Sequence, residues 1–142
     1  MVLRATDYIG KPRTAKLERE LVQQLLAQPE EQRYQFIQDL LPSELPLALK
    51  LASACLRQRS YFEALLEQGL RTADASTIRS WLRPLVTRLG MRRVARMLAD
   101  KLVTDRAGVK KALYWLPSLL RADDAKGAAA LRELADKARA AE

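Results

Sequence analysis

Between Arg71 and Lys111 the chain places eleven bases: Arg71, Arg79, Arg83, Arg88, Arg92, Arg93, Arg96, Lys101, Arg106, Lys110 and Lys111. Three acids stand among them, Asp74, Asp100 and Asp105, so this stretch carries the whole formal charge of +8. Elsewhere bases and acids balance at fourteen each. Charge concentrated in this way points to an anionic partner: an acidic protein segment, nucleic acid or anionic lipid head groups. Tyr114 and Trp115 follow closely on Lys110 and Lys111. An Arg or Lys beside an aromatic ring can clamp phosphate or carboxylate while the ring offers a stacking face. The candidate contact residues are Arg79, Arg83, Arg92, Arg93, Arg96, Lys110, Tyr114 and Trp115.

Other chemistry is poorly provided for. The chain has no His and one Cys, which removes the usual general base near neutral pH and any zinc site of thiolate–imidazole type. Neither a Gly-rich phosphate loop nor a Gly-x-Ser-x-Gly elbow is present. The adjacent acids Glu30–Glu31 and Asp123–Asp124 sit where helices are expected to start, as ordinary helix-dipole partners. A non-catalytic protein without metal or cofactor is the expectation. Cys55 lies between apolar residues and reads as a buried thiol. No apolar run reaches a membrane span and the first residues do not resemble a secretory signal, so a cytoplasmic protein is expected.

Helices must position these bases, because the apolar residues recur with a 3.6-residue period and no segment alternates as a strand would. Residues 1–13 carry turn formers and no stripe, and are expected as a flexible arm ahead of one domain over 14–142. The expected helices begin near Thr14, at Pro29, after Ser43 as N-cap, near Ser60, after Asp74 or Ser76, beyond Gly90, after Asp105 and near Asp123. Gly69 is expected to end the fourth, Pro84 to bend the fifth, and Pro117 to bend or end the seventh. On the sixth, Val94, Met97, Leu98 and Leu102 share a face, and Arg92, Arg93 and Arg96 fall about 160–260° from Val94, on the solvent side.

A spacing of thirty-one residues runs through this pattern. Asp74 and Asp105, Ile78 and Val109, Arg79 and Lys110, and Leu82 and Leu113 are all separated by it. The frame extends back to Ser43, Leu47 and Leu51, and one residue out of step to Leu17 and Leu21. Such a period marks stacked supersecondary units that cannot bury their apolar faces alone. The expectation is all-α: eight helices in four stacked antiparallel pairs. The stretch DRAGVKKALYWL, from Asp105, resembles the second helix of a HEAT-type repeat: a turn Asp, an aliphatic residue followed by a base, then a small residue and Leu. DASTIRSWL, from Asp74, repeats the match with Trp81 in the small position, and VARMLADKL is similar to the family's first helix. The resemblance covers residues 72–120. It implies a short right-handed α-solenoid, with Asp74–Arg79 and Asp105–Lys110 as a ladder holding repeats in register. Tetratricopeptide-like pairing fits the same pattern.

The reading that follows is a helical-repeat module binding a macromolecule, foremost a protein with acidic segments. Nucleic-acid binding through the face of residues 71–111 is the alternative. A membrane-surface role for the basic amphipathic helix 91–103 stands third. Against all three, Arg92, Arg93 and Arg96 equally fit a merely solvated face, and Trp81 falls on the apolar stripe as core.

Overall fold

The computed structural model describes residues 3–141, and among these it is all-helical, with eight α-helices, one 3-10 turn and no strand. The helices are α1 (Ala15–Leu26), α2 (Glu30–Leu40), α3 (Leu45–Cys55), α4 (Arg59–Thr72), α5 (Ile78–Leu89), α6 (Met91–Lys101), α7 (Arg106–Leu119) and α8 (Ala125–Ala140). Two compact units divide the chain, Met1–Tyr61 and Phe62–Glu142, with the boundary in the first turn of α4.

In the first unit α2 packs on α3, and α1 lies against both. Leu21, Leu25, Phe36, Ile37, Leu40, Leu47 and Leu51 form its interior. The opening segment, expected as a flexible arm, carries a 3-10 turn (Ala5–Asp7) against α2. Ala5 is buried, the Tyr8 ring meets Phe36 edge-on at 5.9 Å, and the Gly10 N–H donates to Glu44 Oε1 at 2.8 Å. Pro29 stands just before α2 rather than at its first position, and Glu44, not Ser43, precedes α3. Ser43 is used otherwise, because its N–H and that of Glu44 both donate to Leu40 O and finish the turn closing α2. Pro46 then occupies the first turn of α3, where no amide proton is needed. Glu30 does more than face the α2 dipole: its carboxylate accepts from the N–H groups of Arg57 (3.1 Å) and Gln58 (3.2 Å), fixing the loop that leaves α3.

The second unit has two layers, α5 with α7 and α6 with α8, joined through α5–α6, α6–α7 and α7–α8 contacts. Gly90 alone turns α5 into α6, at φ 86°, a conformation side chains disfavour. Asp105 and Asp124 cap α7 and α8 by accepting from the N–H groups of Gly108 (2.9 Å) and Gly127 (2.8 Å). Helix α5 continues through Pro84, and α7 through Pro117 to Leu119. Gly69 does not terminate α4, which runs on to Thr72. Its role is packing: a Cβ there would lie 2.9 Å from Trp81 Cε3, so the missing side chain lets the indole lie on the α4 backbone.

Residues thirty-one apart are buried alike at Ile78 and Val109, at Trp81 and Ala112, and at Leu85 and Leu116. Leu82 is fully buried, whereas Leu113 is half-buried. Leu113 borders a cleft floored by Ala135 and Ala138, whose methyl groups cover it incompletely. Trp81 is core, only 4% exposed, as its place on the stripe predicts.

Candidate functional site

The basic stretch is sorted by what each base already touches. Within the second unit, four bases of this stretch tie α5, α6 and α7 to α4 or to the turn that follows it. Arg93 grips Glu63 Oε1 through Nε (3.2 Å) and a terminal nitrogen (2.7 Å), and Lys101 pairs with Glu67 at 3.3 Å. The Arg88 guanidinium lies over the Phe62 ring, 5.2 Å from its centroid, and Lys111 Nζ donates to Ala73 O. Arg106 donates to Ala141 O. Arg93, expected on the solvent side, is therefore half-buried and structural. Arg71, Arg83, Arg92 and Arg96 are exposed, and their side chains make no ion pair or hydrogen bond with the described residues.

The expected site residues fall in two places, on opposite layers of the unit. On α5 and α7, the Arg79 guanidinium lies over the Trp115 ring at 5.4 Å, and Trp115 meets Tyr114 edge-on at 5.0 Å. Tyr114 is 76% exposed, which for a large ring on a folded surface is unusual. Lys110 and Tyr114 border the same small cleft as Leu113 and Arg139, of about 300 Å³. Arg83 stands exposed one turn beyond Arg79 on α5. The expected acid–base ladder is not formed at Asp74, because local geometry claims both partners. The Asp74 carboxylate accepts from Ser76 N, Ser76 Oγ, Thr77 N and Thr77 Oγ1 at 2.6–3.0 Å, while Arg79 lies over Trp115. Those hydrogen bonds, Ser76's foremost, hold the Asp74 carboxyl below its ordinary pKa.

On the other layer, Arg92 and Arg96 form one rim of a groove of about 510 Å³ between α6 and α8. Its floor is Ala95, Ala99, Ala129, Ala130 and Leu134, and its second rim is Lys126, Glu133 and Lys137. Alanines on both helices permit the close approach that makes α6–α8 the most extensive helix contact described. Lys126 and Lys137 lie outside the basic stretch and were not legible as site residues. Their neighbourhood is charge-balanced along the sequence, and only the packing of α8 on α6 brings them beside Arg92 and Arg96. The signal that could have found them is the eleven-residue spacing, three helical turns, along one face of α8.

Among the described residues no three His, Cys, Asp or Glu side chains gather where they could hold a metal, and no helix is long and apolar enough to cross a membrane. Burial raises the pKa of the Cys55 thiol, Arg33 opposing it, which makes this sulfur a poor nucleophile. Comparison with protein-family models, curated proteins and solved structures finds no match to this chain.

Proposed function

We propose that this chain is a non-catalytic interaction module, built of HEAT-like stacked helix pairs, that binds an anionic macromolecule, foremost a protein with acidic segments. The observation that carries this reading is that Arg71, Arg83, Arg92 and Arg96 are exposed and pair with no described residue, whereas the other bases of residues 71–111 are engaged. Guanidinium groups without partners are suited to bidentate carboxylate or phosphate binding. Carboxylates are favoured because the four stand on three different helices, α4, α5 and α6, rather than along one as a track for a phosphate backbone.

Nucleic acid is the second reading, favoured by one observation. Tyr114, Trp115 and Arg79 form an exposed aromatic–cation cluster on which a base could stack. Titrating the full chain with labelled polyglutamate and with mixed-sequence single-stranded DNA and RNA, at about 50 mM salt, separates the two. Tighter binding of polyglutamate is expected. Preferential binding of the oligonucleotides would replace the first reading by the second.

A further inference from the structure

Resting on the proposed acidic partner, we infer that the groove between α6 and α8 is the seat of that partner's acidic segment, with Lys126 and Lys137 acting alongside Arg92 and Arg96. Arg92 and Arg96 are one turn apart on α6, about 6 Å along its axis, while Lys126 and Lys137 are about 16 Å apart on α8. Positive charge thus borders both sides of a trough about three helical turns long. Between the rims the floor is methyl groups and Leu134, shallow enough for a peptide backbone to settle and apolar enough to take its small side chains.

The lining argues for a peptide over a nucleic-acid strand in two ways. It holds no aromatic ring, so a base entering the groove has nothing to stack on. It also holds one acid, Glu133, placed between Lys126 and Lys137 along α8 and paired with Lys137 at 3.3 Å. A uniformly charged phosphate strand running the groove would be repelled there. A peptide can instead carry carboxylates opposite Arg92, Arg96, Lys126 and the exposed Lys137, and a neutral residue opposite Glu133. Glu133 therefore acts as a register mark.

The test is fluorescence anisotropy with a fluorescein-labelled peptide of Glu and Ala, about twelve residues long to span three turns. The full chain is compared with Arg92→Glu/Arg96→Glu, with Ala129→Trp, and with Lys16→Glu/Arg19→Glu on α1 of the first unit, which reverses the same number of charges. All the substituted side chains are exposed, and circular dichroism checks that each variant is folded. Charge reversal in the groove should weaken binding by about tenfold or more, and Ala129→Trp, which fills the floor without changing charge, should weaken it comparably. The α1 variant should stay within about twofold of the unsubstituted chain. If Ala129→Trp binds as tightly as the unsubstituted chain, or the α1 variant weakens binding as much as the groove variant, attraction is diffuse and the groove is not the seat, although the acidic-partner reading survives. If the unsubstituted chain binds neither this peptide nor polyglutamate at about 50 mM salt, that reading itself falls and the inference with it.

Discussion

Arg33 holds three backbone carbonyls at once. Its guanidinium donates to Gln28 O (2.8 Å), Cys55 O (2.9 Å) and Leu26 O (3.2 Å), carbonyls at the C-terminal ends of α1 and α3 and in the loop between α1 and α2. A cation there satisfies acceptors that helices leave unpaired and complements their dipoles. Arg33→Ala should destabilise the protein by about 2–3 kcal/mol in urea unfolding. Arg33→Lys should recover less than half of that loss, since a single ammonium cannot reach three diverging carbonyls. Nothing local in the sequence marks Arg33, because its partners lie five, seven and twenty-two residues away. Leu82 and Leu113 show the complementary case, in which a spacing is legible but its consequence differs. Leu82→Ala should cost about 2–5 kcal/mol, the range for a filled core position. Leu113→Ala should cost clearly less, because its site is already part-open to solvent beside Ala135 and Ala138. Equal unfolding midpoints for the two variants would contradict the burial described.

Helix identity was largely legible in the chain and helix ends less so. Each apolar stripe is a local pattern, and all eight helices arise where the 3.6-residue period runs. Ends depend on partners. Asp105 and Asp124 cap as short-range chemistry predicts, whereas Ser43 is drawn into the turn closing α2 and Gly69 is required by a tryptophan twelve residues on. At both aspartate caps a Cβ on the glycine three residues later would collide with the carboxylate, at 2.3 Å for Gly108 and 2.1 Å for Gly127. Gly127→Ala should therefore turn the Asp124 carboxylate off its cap, a loss of about 1 kcal/mol, while Ala gains a comparable amount over Gly within the helix, so the unfolding midpoint should change little. The α1–α3 contact carries a pH-sensitive tie. Hydrogen bonds from Lys50, then Arg13, hold the Glu18 carboxyl below its usual pKa. A carboxylate depressed in the folded state contributes stability that is present above its unfolded pKa and is lost as pH falls through the folded value. The stability difference between the unsubstituted chain and Glu18→Gln should thus be largest near neutral pH and vanish below the ordinary carboxylate range. A difference that grows on acidification would contradict the ion-pair geometry.

At the scale of the whole molecule, a net charge of +8 concentrated in one stretch was legible at once, but its division was not. Charge along a sequence reveals nothing of which bases will find partners. Folding engages Arg88, Arg93, Lys101 and Lys111 against α4 and the turn after it. Arg106 bonds to Ala141 O and Arg71 stands on α4, while Arg79, Arg83 and Lys110 fall on the α5–α7 layer with Tyr114 and Trp115, and Arg92 and Arg96 line an α6–α8 groove without aromatic rings. The two tryptophans make this division measurable. Trp81 is buried beneath Gly69, whereas Trp115 is half-exposed among Arg79 and Tyr114. In a Trp81→Phe variant, Trp115 is the sole indole and reports on the α5–α7 layer alone. An acidic peptide seated in the groove should leave its emission nearly unchanged. A single-stranded oligonucleotide should quench it by stacking, with an affinity that falls steeply as salt rises because each neutralised phosphate releases counterion. Quenching by the acidic peptide would place that ligand on the aromatic layer. Oligonucleotide binding without quenching would remove the stacking role assigned to Tyr114 and Trp115.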